Sequence, residues 1–590
     1  MASANDTNFQ FGAVLLSSDT TRFSLWAPSA QSVSVLLDDG QKAELSQAEG
    51  GWFRGEYQCG AGTGYLFVVD GGNPVPDPAS RQQRGDVHGQ SVVTDLAAYA
   101  WKQTEWKGRP WHETVLYELH AGLLGGYAGV EAQLPRLAEL GVTAIELMPL
   151  NQFSGERNWG YDGTLCYAPA SAYGSPEALQ RLIDRAHELG LMVFLDVVYN
   201  HFGPDGNYIG QYASKFFRDD IPTPWGQAID FRRPEVCDFF IENALMWLRD
   251  YRFDGLRLDA VHAISEKRFL TDLSDRVRKA LPDRHVHLVL ENEHNDAHLL
   301  ETHFQAQWND DGHNVLHHLL TGEREAYYED YCDEPTKKLA SVLGEGFIYQ
   351  GQTNRHGNTR GEPSGHLPPH AFVLFLQNHD QVGNRAMGDR LITLTDERSL
   401  KAATALLLLS PMIPMLFMGE EWGSRQPFLF FTDFHDELAD AVREGRRNEF
   451  AEFGAFNDPE AREQIPDPNA LSTFERSRPD FNAASTGEHG QWYALHRRLL
   501  ALRAEEITPR LPDAKSIGTE IRGEAAVTAR WAMGNNRVLR IDTNLSDSDL
   551  TILPVLSDLL HESDDGVAEA ARNGTLPGRS ALATWESPDE

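Results

Sequence analysis

The chain has 590 residues, with 52 Lys+Arg against 87 Asp+Glu, a formal charge of −35 with histidines neutral. That excess of negative charge excludes a nucleic-acid duplex or an anionic membrane as a partner for most of the surface. Hydrophobic residues make up 41%, enough for large cores, which excludes disorder as the main state. The four cysteines (Cys59, Cys166, Cys237, Cys332) are far apart in no metal-like spacing, as expected of thiols in a reducing compartment. No basic and apolar leader opens the chain, and the most apolar stretch, 405–418, is short and carries Pro411 and Pro414. A cytoplasmic protein without membrane contact is expected.

The first predicted elements are short β-prone runs at 23–26, 33–37, 52–57 and 65–69, with Asp38-Asp39-Gly40 as a hairpin turn. They predict an antiparallel β-sandwich over 1–95. From Val115 the rhythm becomes strand, helix, strand. Apolar runs at 115–120, 144–148, 191–198, 255–259, 287–291, 304–308, 371–376 and 413–418 read as eight strands, nearly continuous as in a sheet covered on both faces. The helix after the second strand is well marked. Ser175 caps it, Pro176 opens it, Leu179, Leu182, Ile183, Ala186 and Leu189 form its apolar stripe, and Gly190 stops it. Eight βα units predict an α/β chain whose catalytic domain, 108–510, is a (β/α)8 barrel. A doubly wound sheet is the other arrangement, but no glycine-rich phosphate loop follows the first strand. An insertion lies at 322–370 and a polar segment at 423–485. The β-like runs 527–531 and 538–541 predict a small β domain over 511–590.

A barrel carries its chemistry at the C-terminal ends of its strands. Polar residues close the apolar runs at those places: Asp196 to Asn200-His201, Arg257-Leu258-Asp259 to His262, Glu291-Asn292-Glu293, and Asn378-His379-Asp380. Alternation puts Arg257 and Asp259 on one face. Asp259 and Glu291 end consecutive strands, about 4.8 Å apart if adjacent. That spacing suits the separation of about 5–5.5 Å between the carboxyls of a retaining glycosidase.

With these residues in view, the chain resembles the α-amylase-type glycoside hydrolases. Four short signatures stand in order: DVVYNH at 196–201, GLRLDAVH at 255–262, the Glu291 strand end, and FLQNHD at 375–380. The resemblance implies Asp259 as nucleophile, Glu291 as general acid/base and Asp380 as transition-state stabiliser. It further implies that Arg257 orients Asp259 with support from Asp196, and that His201 and His379 hydrogen-bond the same sugar. Tyr161, in Trp159-Gly160-Tyr161-Asp162-Gly163, would stack on that ring, with His262 and Gln381 as further substrate contacts. A carboxylate-pair mechanism needs neither metal nor organic cofactor, and no His/Cys cluster points to one.

Within that group, Gln307-Trp308-Asn309-Asp310-Asp311, Met418-Gly419-Glu420-Glu421-Trp422-Gly423 and Phe430-Phe431-Thr432-Asp433-Phe434 are similar to the malto-oligosyltrehalose trehalohydrolases. This narrower likeness implies hydrolysis of the α-1,4 bond next to a terminal trehalose unit, with Asp310 and His313 at the trehalose end. The implied partner is malto-oligosyltrehalose or another α-glucan; the sequence does not set the oligomeric state. A glucan branching transferase and a non-catalytic glucan-binding barrel are the alternatives. Two departures stand out. The acid segment reads Leu290-Glu291-Asn292-Glu293, which makes Glu293 a rival acid, and Gly312 and Asn314 differ from the pattern after Trp308.

Overall fold

Eight parallel strands close into a barrel in the computed structural model, which describes residues 9–223, 226–355, 357–452, 454–456 and 458–587. The strands are Leu116–Leu119, Ala144–Leu147, Met192–Val197, Gly255–Leu258, His287–Leu290, Ala306–Trp308, Phe372–Phe375 and Ile413–Phe417. Each pairs with the next, and the first closes on the eighth in the register Leu116↔Met415. Every residue in them is buried, which is why the runs are apolar throughout rather than alternating. The strands are a residue or two shorter than the sequence predicts at several ends, because the pairing stops where the chain turns toward the rim.

The barrel interior changes character along its axis. Leu116, Ala144, Met192, Phe194, Val289, Ala306, Val373, Ile413 and Met415 interlock as an apolar plug. Two residues further along several of these strands, on the same inward face, stand Glu118, Glu146, Asp196 and Glu291, with Arg257 between them on the fourth strand. The apolar plug therefore floors a polar upper layer.

Local chemistry sets the flanking elements. In the helix Pro176–Glu188 the Ser175 side chain accepts the Ala178 N–H, proline occupies the first turn, and Leu179, Leu182, Ile183 and Ala186 are buried. At the N-terminus, strands within Gly12–Gln58 and Val33–Val92 form two antiparallel sheets of four and five strands. The predicted hairpin joins Val33–Leu37 to Lys42–Glu44, with Gly40 at φ +85°. Glu242, on the barrel helix Pro234–Leu245, accepts the Gln10 N–H at 2.9 Å and so ties this sandwich to the barrel. A five-stranded antiparallel sheet between Lys515 and Glu586 follows the barrel.

Two excursions crown the rim. After the third strand the chain makes a hairpin, Phe217–Thr223 with Gly226–Ile229, which the sequence pattern does not signal. The insertion after the sixth strand carries a helical turn Ala326–Tyr331, a helix Pro335–Glu345 and the paired segments Gln352–Thr353 and Thr359–Arg360. Its helix rests on the C-terminal sheet, where Trp531 donates its indole N–H to the Leu343 carbonyl at 3.1 Å. No helix among the described residues is long and apolar enough to cross a membrane.

Candidate active site

The polar layer is organised by one guanidinium. Arg257 has no solvent exposure, and its Nη1 donates to Asp196 Oδ2 at 2.7 Å and Asp259 Oδ1 at 2.9 Å. Its Nη2 donates to Glu291 Oε2 at 2.8 Å. The plane of the group lies over the Trp308 ring at 4.1 Å. Third, fourth, fifth and sixth strands thus meet at one cation. The planar fork makes this possible, since its nitrogens diverge toward carboxylates on either side while its face stays free for the indole. The backbone contributes too. Ala260 sits at φ +41°, a strained setting for a residue with a Cβ, and its N–H donates to Glu291 Oε2 at 2.8 Å.

The third-strand end completes the Asp259 side. Asn200 donates its side-chain N–H to Asp259 Oδ2 at 2.7 Å and to the Asp259 carbonyl at 2.9 Å. Tyr161 donates its hydroxyl to Asp196 Oδ2 at 2.6 Å, and its ring stacks on His379 at 4.9 Å and 22°. Burial pushes the Asp196 carboxyl up to about 7 against the pull of Arg257. His201 is engaged on both nitrogens, Nε2 by the Tyr161 carbonyl at 2.9 Å and Nδ1 by Asn200.

His379, 1% exposed and stacked on Tyr161, lies between two carboxylates. Glu118 on the first strand accepts its backbone N–H at 2.9 Å and also meets Nδ1, while Nε2 is 3.5 Å from Asp380 Oδ2. Burial works against a charged imidazole here, yet Asp380 and Glu118 outweigh it and carry the group up to about 9, which favours the cation.

These groups open on a cavity of about 850 Å³ lined by His262, Glu291, Glu293, Asp310, Asp380 and Gln381. The insertion supplies Glu323, Tyr327, Tyr331 and Arg360 to its walls, and the segment after the eighth strand supplies Phe450 and Phe456. Glu291 and Asp380 therefore share one cavity; Asp259, 9% exposed, is not among its lining residues and is joined to Glu291 through Arg257. Asp310 is half-buried on the wall; burial and the nearby Glu291 push its carboxyl up to about 8. His313 does not line the cavity. It is 1% exposed and stacked on Phe375 at 5.5 Å, because the helix Asp310–Thr321 starts at the rim and turns its next face into the core. Glu293 follows the end of its strand, so alternation does not carry it to Arg257; it is largely exposed, 3.8 Å from His262.

Sequence reasoning missed three acids. Glu118 and Glu146, each 1% exposed, interrupt the apolar first and second strands at inward positions, and that interruption is a signal the sequence does contain. Burial pushes Glu146 far above the usual carboxylate range, helped by Asp196 and Glu118. Asp311 is the third. It accepts Asn295 Nδ2 at 3.0 Å, the Tyr331 hydroxyl at 2.7 Å and the Ile348 N–H at 2.9 Å, and lies 3.2 Å from Arg360, locking the insertion to the barrel. Among the described residues, Asp296, His298 and Glu362 form a group compact enough for a metal ion, with ligand atoms within 4.8 Å of one another. They lie outside the cavity walls, and His298 Nδ1 is already paired with Glu362 at 2.9 Å.

Comparison with known proteins gives a consistent picture. The alpha amylase catalytic domain family matches residues 100–225, carbohydrate-binding module 48 (isoamylase N-terminal domain) matches 10–82, and a domain of unknown function, DUF3459, matches 514–583. A malto-oligosyltrehalose trehalohydrolase from Deinococcus radiodurans is 42% identical over 502 residues, covering 82% of this chain and 81% of its own. One from Rhizobium sp. (strain M-11) is 37% identical over 589 residues, covering 95% and 97%. A crystal structure of a candidate alpha amylase from Salmonella typhimurium superposes with a TM-score of 0.91 at 42% identity, covering 98% of this chain and 99% of that one. A 1,4-alpha-glucan branching enzyme from Gloeobacter violaceus is 32% identical but matches only 41% of this chain.

Proposed function

This chain belongs to the malto-oligosyltrehalose trehalohydrolases, α-amylase-type glycoside hydrolases, and from that membership we infer that it hydrolyses the α-1,4 bond next to the terminal trehalose unit of malto-oligosyltrehalose. The products are free trehalose and a shortened malto-oligosaccharide. The observation that carries the assignment of roles is the joint grip of Arg257 on Asp259 and Glu291, beside a cavity that Asp380 also lines.

In the first step an Asp259 carboxylate oxygen attacks the anomeric carbon and forms a glycosyl ester. The bond from that carbon to the trehalose oxygen breaks, and the oxygen takes the proton of Glu291, leaving as a hydroxyl. In the second step Glu291, now a carboxylate, removes a proton from water as that water attacks the same carbon, which frees Asp259 and restores the acid. Two inversions give net retention. Asp380 flanks the ring on which positive charge develops, with His379 3.5 Å behind it and Tyr161 stacked on His379. Asp310, Gln381 and His262 are the wall groups available to sugar hydroxyls. Of the two acids after the fifth strand, the buried clasp by Arg257 favours Glu291 over exposed Glu293.

The four unpaired thiols fit a reducing compartment, and we read the enzyme as cytoplasmic. Incubation with malto-oligosyltrehalose tests the function. Release of trehalose is expected. Glucose or maltose as sole products, or new α-1,6 branches in amylose without new reducing ends, would overturn it.

A further inference from the structure

We propose that Glu118 is a positioning residue of this site: from the first barrel strand it holds His379 by ring and backbone together, keeping the imidazole doubly protonated so that Nε2–H is presented to Asp380 and the bound sugar. The proposal rests on the reading of Asp380 and His379 as sugar-site groups given above.

The argument starts from donors and acceptors. Glu118 is 1% exposed and sits inside a strand that is otherwise Leu, Tyr and Leu, a costly place for a carboxylate. Both of its carboxylate oxygens are engaged by His379: Oε2 accepts the backbone N–H at 2.9 Å and Oε1 meets Nδ1. The other ring nitrogen, Nε2, is 3.5 Å from Asp380 Oδ2. A carboxylate can only accept, so Nδ1 carries a proton toward Glu118, while a second proton on Nε2 would face Asp380 at ion-pair distance. The ring cannot swing away from this arrangement. Tyr161 stacks on it, Trp159 meets it edge-on at 5.8 Å and Trp308 lies 6.0 Å off. The backbone bond matters equally, because it fixes the start of the short helix His379–Gly383, whose second residue is Asp380.

The charges around His379 are accounted for element by element. Glu118 and His120 come from the first strand and its loop, Glu146 from the second, Asp196 from the third, Arg257 from the fourth and Asp380 from its own. Arg257 opposes a second cation, and Asp380 and Glu118 are the two groups that most favour it, consistent with the imidazole being carried up to about 9. Asp380 alone would have to offset both burial and Arg257. Glu118, which holds the ring at Nδ1 and the backbone N–H together, is thus the group within the barrel that favours the charged imidazole.

Glu118→Gln is the test, since it keeps the size and one acceptor but removes the charge. Its kcat is expected to fall about tenfold or more at pH 8 and to recover toward wild type near pH 5.5, with KM changed little. The basic limb should move down by roughly one to two pH units, the usual effect of losing an adjacent opposite charge. A variant whose pH profile parallels wild type, whether fully active or uniformly weakened, would overturn the proposal. If Glu118→Gln does not fold, ¹³C-histidine NMR of the wild type decides. A signal absent from His379→Gln must stay in its cationic position at pH 8, and a neutral shift there refutes the assignment. The two readings fail separately: wild-type trehalose release tests the activity, and the ratio of variant to wild-type pH profiles, on whichever glucan the enzyme cleaves, tests Glu118.

Discussion

Replacing Arg257 by lysine probes the central claim, that one guanidinium aligns the nucleophile and the acid. Arg257 is fully buried, bonds three carboxylates at 2.7, 2.9 and 2.8 Å, and covers Trp308 at 4.1 Å. A lysine ammonium keeps the charge but is a single point on a flexible stem, so it cannot reach Glu291 while serving Asp196 and Asp259. One charge-assisted hydrogen bond, worth about 1.5–3 kcal/mol, is lost, together with much of a cation–π contact worth about 0.5–1 kcal/mol. The combined loss of about 2–4 kcal/mol, applied to the alignment of Glu291 with Asp259, corresponds to roughly 30- to 700-fold in kcat/KM at about 1.4 kcal/mol per decade. Initial rates of trehalose release at several substrate concentrations measure it, with the melting temperature followed in parallel. A folded Arg257→Lys enzyme within threefold of wild-type kcat/KM would refute the reasoning, because it would mean the fork geometry is dispensable.

Three other outcomes are expected. Asp259→Ala should lower turnover by roughly 10⁴-fold or more without unfolding the chain, since Asp259 ends a strand rather than packing in its core; near-wild-type release of trehalose would remove it as nucleophile. Asp311→Ala leaves Arg360, Tyr331 and two backbone N–H groups without their buried acceptor, and should destabilise the protein by about 3–5 kcal/mol; a melting temperature unchanged from wild type would count against the locking role. Glu242 is raised to about 7 by burial, above its ordinary value near 4.5. Its contribution to stability is therefore full below that ordinary value and is lost as pH rises through about 7. The Glu242→Gln variant should gain in melting temperature relative to wild type between pH 5 and pH 8, and a difference that does not vary with pH would show that the carboxyl does not titrate in that range.

Much of the architecture is written locally. Barrel strands are buried on both faces, so their apolar runs stand out in the sequence at 192–197 or 413–417 whatever surrounds them, and capping at Ser175 with a buried stripe behind it is a matter of a few neighbouring residues. Acids that end such runs mark the rim, and the resemblance to the α-amylase-type signatures is what singles out Asp259, Glu291 and Asp380 among them. The distance between Glu118 and His379 along the chain is 261 residues, and no local pattern links them. The same holds for Arg257 reaching Asp196 across 61 residues and for Asp311 anchoring a segment that reads only as a long insertion.

His313 shows the limit from the other side. It is three residues beyond Asp310 on the same helix and near a rim by sequence, yet the helix axis carries it into the core against Phe375. Periodicity and apolarity are properties of neighbours in sequence, and they fixed the elements and the rim. Which side chains meet at hydrogen-bonding distance depends on barrel closure, register and helix tilt, and those arise only when the whole sheet curls shut.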